Sequence, residues 1–303
     1  MILLRFIGIS LLFFLPAVSH ATIQVFACEP EWASLATEIG GEQVSVFSAT
    51  HAKQDPHHVS ARPSLIAKAR QADLLICSGA SLETGWLPIL LQKSSAHIQP
   101  GKLGHLMASE HVDLLETFSQ TDRSMGDVHP EGNPHVHLNP HNILRIAIEI
   151  KNRLQAINPA NTSLYHQQHA QFEARWLNAI ARWENKAQPL KNKSVVVHHN
   201  SFIYLTNWLG LNQHFSLESV PGIPPTPKHL QRLANSVNPS NTLAILRAPY
   251  NPAKPSLWLS NKTGVPAILL PFTVGGDEAS TDLFGLFDRT IEQLLSNLPH
   301  DAL

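Results

Sequence analysis

The stretch NTSLYHQQHAQFEARWLNAIARWENKAQPL, residues 161–190, contains no glycine, and its only proline is Pro189. Phe172, Trp176, Ile180, Trp183 and Ala187 recur at three- and four-residue intervals, which places them on one stripe of an α-helix. A helix of about 27 residues is about 40 Å long, enough to run the length of a domain. No regular heptad of charge accompanies the stripe, so a coiled coil is disfavoured. The reading is a stiff connector packed against structure on both sides, which limits hinge motion between them.

Segments on either side of this helix alternate between strand and helix character. Before it, Glu31–Ile39 reads as helix, Val44–Phe47 as strand, Ser64–Arg70 as helix and Leu74–Cys77 as strand. A further helix covers Asn142–Ala156, with Ile143, Ala147, Ile150 and Leu154 at helical spacing. After it come Ser194–Val197, Phe202–Trp208, Leu243–Leu246 and Ala267–Leu270, then a last helix from Thr281 to Leu298. Thr226-Pro227 has the form of an N-cap followed by a first-turn proline, so another helix starts there. Alternation of this kind predicts α/β architecture with mostly parallel sheets. The division is a leader at 1–21, an N-terminal α/β lobe at 22–158, the connecting helix at 159–190 and a C-terminal α/β lobe at 191–303.

Composition narrows the function. Hydrophobic residues are 43% and charged residues 15%, which excludes a disordered chain. A net charge of −1 gives no general electrostatic reason to bind nucleic acid or an anionic membrane. The unusual number is 18 histidines, which points to metal or acid–base chemistry.

Met1–Ala21 has an early arginine, an apolar run and small residues at its end, the pattern of a secretory signal peptide. The alternative is a membrane anchor, for which the apolar stretch is short. A lipidation site at Val25-Phe26-Ala27-Cys28 is rejected, because Phe26 is bulky and polar residues separate Cys28 from the apolar run. Export implies an oxidising compartment. Cys28 and Cys77 each end a strand-like run; if those strands are neighbours, the two residues form a disulfide, the alternative being two buried free thiols.

Four widely separated segments carry the chemistry: Gln54-Asp55-Pro56-His57-His58, Gly132-Asn133-Pro134-His135-Val136-His137, Val197-His198-His199-Asn200 and Val274-Gly275-Gly276-Asp277-Glu278. Two share the form Asx-Pro-His, in which the Asx side chain caps a local turn and proline stiffens the presentation of the histidine. The third places histidine at the end of a β-branched run, where parallel sheets present binding groups. His57, His135, His199 and Asp277 together offer three nitrogens and one oxygen, a set that suits tetrahedral zinc. His57 and His199 are separated by 142 residues, and so are His135 and Asp277, as two similar lobes facing across a cleft would give. His58 and His198 are the rivals beside the proposed ligands, and Glu278 and Asp282 lie close to Asp277.

At this point the chain resembles the solute-binding proteins of zinc and manganese ABC transporters. The resemblance rests on DPHHVSARPSLIAKARQADLLICSGASLETGW, NPHVHLNPHN, VVVHHNSFIYLTNWLGL, PGIPPTPKHLQRL and LLPFTVGGDEASTDLFGLFD, which together span essentially the whole mature chain. It implies two α/β lobes joined by a long rigid helix, with metal held between them by His57, His135, His199 and Asp277. It implies no enzymatic activity, a periplasmic location, a monomer, delivery to an inner-membrane ABC permease and, in some systems, a periplasmic zinc chaperone. Histidine at position 199, where manganese members usually carry Glu, favours Zn²⁺ as the transported ligand. The sequence departs from the family pattern at Asn133 and Asn200, where Asp is commoner, and at Val59, where Tyr is usual. The long histidine- and acid-rich loop of some zinc members is absent. Asp127, His129 and Glu131, with His137 and His141, occupy its neighbourhood, either as a transient capture loop or as a solvated one.

The competing readings are a manganese-binding member of the same family and a secreted zinc-dependent hydrolase. The hydrolase needs an open metal position and a general base. No H-E-x-x-H, G-x-S-x-G or phosphate loop is present.

Overall fold

The computed structural model describes residues 22–118 and 125–298; the expected leader at 1–21 lies outside the described residues. The first half runs β1 (Ile23–Ala27), α1 (Pro30–Gly40), β2 (Val44–Ser48), α2 (Pro63–Gln71), β3 (Leu74–Cys77), α3 (Leu87–Leu91) and β4 (His105–Met107). Two long helices follow, α4 (Pro140–Ile157) and α5 (Thr162–Lys186). The second half runs β5 (Ser194–Val197), α6 (Ile203–Leu209), β6 (Asn212–Ser216), α7 (Pro227–Ser236), β7 (Thr242–Arg247), α8 (Ala253–Thr263), β8 (Ala267–Leu269) and α9 (Leu283–Leu295).

Each half forms a four-stranded, all-parallel sheet. The strand orders are β2-β1-β3-β4 and β6-β5-β7-β8, the same topology twice. The first strand of each half is central, so the chain crosses to one side and then to the other. In such sheets ligands bind beyond the C-terminal strand ends, at the point where the order reverses. The central strands β3 (Leu-Leu-Ile-Cys, all buried) and β5 (Ser-Val-Val-Val) have the apolar runs that burial on both faces demands.

The connecting helix is α5, 25 residues and about 38 Å long. Its stripe is buried as expected, at Phe172, Trp176, Ile180 and Trp183. Trp176 donates its indole N–H to the Pro140 carbonyl at the start of α4 (2.8 Å), and Trp183 donates to Asp288 on α9 (2.7 Å) while stacking on Phe287. The helix thus grips an element of each half. One continuous apolar core runs from Ile23 and Val25 through Ile146, Trp176 and Trp183 to Val195 and Leu286. Separating the halves as rigid bodies would open that core to water, at about 25 cal/mol per Å² of apolar surface exposed. Smaller clusters cover the outer faces, around Leu75 and Trp86 on one sheet and Ile245 and Leu259 on the other.

Side-chain caps start three of the helices, Asp282 capping α9 by accepting from Gly285 N–H. The Asn139 side chain accepts from His141 N–H ahead of α4, and Thr226 accepts from His229 N–H ahead of α7, each with proline at the first helical position. The expected start at Thr226-Pro227 is therefore present. Among the described residues no helix is long and apolar enough to cross a membrane.

Cys28 and Cys77, at the ends of the paired strands β1 and β3, form a disulfide with Cα atoms 4.8 Å apart. Two buried carboxyl groups lie beside it, Glu29 and Glu83. Glu83 accepts from the N–H groups of Ser78 (2.8 Å) and Gly79 (3.1 Å), and Glu29 accepts from the Ser78 hydroxyl (3.1 Å). Burial pushes Glu83 up to about 7 against these hydrogen bonds; burial and then the neighbouring Glu83 and Glu31 hold Glu29 well above the usual carboxylate range. The folded protein therefore keeps a proton that the unfolded chain releases above about pH 4.5. Unfolding releases protons in this window, so stability falls as pH rises from about 4.5 to about 7. Glu29→Gln, an isostere of the protonated acid, is expected to flatten that slope and raise Tm at pH 8. Thermal denaturation from pH 5 to pH 8 checks it, and parallel wild-type and variant curves would refute it.

Candidate metal centre

Three loops beyond strand ends, together with the turn leading into α4, meet between the two halves. The loop after β2 carries His57. Asp55 Oδ1 accepts from the His57 backbone N–H (3.0 Å) and lies 2.8 Å from its ring Nδ1, while Trp86 pins the loop by donating to the Pro56 carbonyl (3.0 Å). The second Asx-Pro-His segment repeats the device: Asn133 Oδ1 accepts from His135 N–H (3.1 Å). The third loop leaves β5 and places His199, whose Nδ1 lies 2.8 Å from Glu218 Oε2. The fourth follows β8 and packs Phe272 edge-on against His135.

His57, His135 and His199 offer ring nitrogens that all lie within 4.8 Å of one another. His57 is the hub, with ring centroids 5.6 Å from both of the others. Carboxylates on the Nδ1 side of His57 and His199 leave Nε2 of each ring for the centre, the outer-shell arrangement common to metal-binding histidines. His135 is 1% exposed, and neither of its ring nitrogens has a hydrogen-bond partner among the described residues. A buried polar atom without a partner costs about 1–3 kcal/mol, and a bound cation would remove that cost at one of the two nitrogens. Burial first, and the surrounding histidines second, hold His135 well below the usual histidine range, so its ring is neutral and able to ligate.

The rivals lie elsewhere. The His58 side chain is 66% exposed and faces Asp127 at 3.8 Å; His198 is buried, 3.6 Å from the other oxygen of Glu218. Neither is part of the three-nitrogen group. Cys28, Cys77 and Glu83 also cluster, but the two sulfurs are bonded to each other and supply no thiolate.

Asp277, expected as the fourth ligand, is not brought into the group. Its Oδ1 caps the turn at Ser280, accepting from the backbone N–H (2.9 Å) and the hydroxyl (2.7 Å), and Oδ2 accepts from Arg289 Nε on α9 (2.9 Å). Burial raises its pKa, but the bonds from Ser280 and Arg289 outweigh it and hold the carboxyl below its ordinary value. The physical reason for the displacement is local: Gly275 N–H bonds the Ser280 carbonyl (2.6 Å), closing a turn that aims the carboxylate at α9.

A residue left open between two readings lies against the group at His57, although it is not one of the three mutually close histidines. His129 is 8% exposed, and its Nε2 lies 3.2 Å from His57 Nε2. Burial and then the charge of His57 lower its pKa to about 4. His137 is turned away from the group, with Nε2 3.0 Å from the Phe272 carbonyl and Nδ1 3.1 Å from Glu31. Glu31 also contacts the Thr273 hydroxyl, so this buried pair ties α1 to the loop after β8.

The departures at 133 and 200 have a common cause. Glu116 accepts from Nδ2 of Asn133 (3.1 Å) and of Asn200 (2.6 Å), and Asn133 also donates to the Asn200 carbonyl (2.8 Å). An Asp at either position would set two carboxylates against each other.

Comparison with known proteins gives the architecture a family. The model of the zinc-uptake complex component A family (ZnuA, periplasmic) matches residues 25–297. The chain belongs to this family. It is therefore a ZnuA-family substrate-binding component of a metal ABC transporter, a non-enzymatic part whose partner is a membrane permease. Such components work outside the cytoplasm, in the periplasm or as lipoproteins. Similar proteins include the manganese ABC transporter substrate-binding lipoprotein PsaA of Streptococcus anginosus, 23% identical over 262 residues, 85% of this chain and 82% of that one. The metal ABC transporter substrate-binding lipoprotein FimA of Streptococcus parasanguinis is 24% identical over 80% of this chain and 77% of its own length. In fold, this ZnuA-family chain is similar to a crystal structure of ZnuA (TM-score 0.75, 21% identity, 91% of this chain and 100% of that one). It is also similar to an Mn-bound mutant of the periplasmic metal-binding protein from Candidatus Liberibacter asiaticus (TM-score 0.73, 17% identity, 91% and 99%).

Proposed function

We propose that this chain captures one Zn²⁺ in the periplasm, through His57, His135 and His199, and hands it to an inner-membrane ABC permease. The observation that carries the reading is the donor set: three clustered imidazoles with no carboxylate oxygen among them, as found among the described residues. Imidazole suits zinc, whereas manganese favours carboxylate, carbonyl and water oxygens. The nearest carboxylates, Asp55 and Glu218, face the rear nitrogens of the rings, where they orient the histidines and raise their basicity. The relatives named for manganese share the family and leave this choice of ion to the local donors. A periplasmic zinc chaperone as donor and a monomeric carrier complete the reading.

The test is transport. With the cognate permease in proteoliposomes, the mature protein is expected to stimulate ATP-driven uptake of radioactive zinc, and His57→Ala to abolish that stimulation. Stimulation by manganese alone would overturn the zinc assignment. A milder change probes the outer partner: Glu218→Gln is expected to weaken zinc binding about 10- to 100-fold, measured by chelator competition. Wild-type affinity in that variant would show that Glu218 does not act through His199.

A further inference from the structure

We infer that His129, not Asp277, supplies the fourth ligand, so that the cargo ion sits among four imidazole nitrogens. This deepens the capture reading and rests on it. The His57 Nε2 to His129 Nε2 separation of 3.2 Å matches the edge of a tetrahedron with metal–nitrogen bonds of about 2.0–2.1 Å, which is about 3.3 Å. His129 touches the group at His57, its ring centroid 5.3 Å from that of His57 and 6.5 Å from that of His135, and it lies outside the mutually close three, so four-nitrogen ligation requires its ring to swing inward.

The backbone around His129 is fastened on both sides. Asp127 N–H donates to the Pro221 carbonyl (2.9 Å), Phe118 N–H to the Pro130 carbonyl (3.2 Å) and Asn133 N–H to the Leu115 carbonyl (2.7 Å). Gly126, at φ +75°, lies against Pro221; a Cβ there would stand 2.1 Å from the Pro221 carbonyl oxygen, so the approach requires glycine. The segment therefore presents a buried histidine from a braced turn. Asp277, by contrast, has both carboxylate oxygens engaged by Ser280 and Arg289. Replacing an oxygen donor by a fourth nitrogen also sharpens selection against manganese.

The experiment uses the mature apo-protein with Zn²⁺, Mn²⁺ and Co²⁺, the last read by its visible d–d spectrum. His129→Ala is expected to weaken zinc binding at least 10-fold and shift the cobalt bands, while Asp277→Asn leaves both within about twofold of wild type. His129→Asp is expected to narrow the zinc-to-manganese affinity ratio. Circular dichroism of each apo variant separates misfolding from ligand loss, and His129→Gln replaces any variant that does not fold. Loss in Asp277→Asn with wild-type behaviour in His129→Ala, or no change in either, would overturn the inference while leaving three-histidine capture standing. Full zinc affinity in His57→Ala would instead overturn the capture reading itself.

Discussion

Replacing His135 by Ala is expected to weaken zinc binding by more than about 100-fold while leaving the apo-protein folded. Its ring is almost wholly enclosed and has no hydrogen-bond partner among the described residues, so in the apo-protein it contributes edge-on packing against Phe272 and the neighbouring histidine rings. Removing it deletes a proposed direct ligand without stranding a polar neighbour. Outer partners of metal ligands are typically worth 10- to 100-fold in affinity, and a direct ligand is worth more. Competition against a chromophoric chelator reads the affinity, and circular dichroism confirms the fold. Undiminished zinc affinity would remove His135 from the site.

The second large effect concerns the covalent link. The Cys28–Cys77 disulfide closes a loop of 49 residues, and chain-entropy arguments assign such a closure about 4 kcal/mol. The Cys28→Ser, Cys77→Ser double variant is expected to lose that stability, a fall in Tm of the order of 10 °C. Neither sulfur is among the clustered imidazoles, so zinc stoichiometry is expected to remain one. Differential scanning calorimetry with parallel metal analysis checks both. An unchanged Tm would mean that the sheet, rather than the cross-link, holds β1 and β3 together.

Much of this architecture was legible because its signals are local. The α5 stripe, the apolar runs at Leu74–Cys77 and Ser194–Val197, and the Thr226-Pro227 cap each follow from a few adjacent residues. The same holds for the Asx-Pro-His turns, where the capping bond spans two residues. The edge strands β4 (His-Leu-Met) and β6 (Asn-Gln-His-Phe-Ser) were not legible: one is three residues long, and the other carries polar residues that an edge tolerates. Helix α8 was also missed, since Pro255 stands in its first turn and reads as a breaker.

The site divides along the same line. His57, His135 and His199 stood out by motif, and the fold brings them together. Glu218 did not, because it reaches His199 from 19 residues away and only through the parallel pairing of β5 with β6. The engagement of Asp277 was hidden for a related reason. Its partner, Arg289, lies along the following helix, and no local pattern announces that pair. His129 sat in a segment whose composition suited either a solvated loop or a capture loop; its burial comes from distant partners at Leu115 and Pro221.

The central claim is that clustered imidazoles select the cargo. The most direct measurement is a chelator-competition titration of the mature apo-protein with Zn²⁺ and Mn²⁺ in parallel. One tight zinc equivalent is expected, with manganese weaker by at least about three orders of magnitude, as the Irving–Williams order and nitrogen donors together dictate. Manganese binding as tight as zinc, or no tight zinc equivalent, would contradict it.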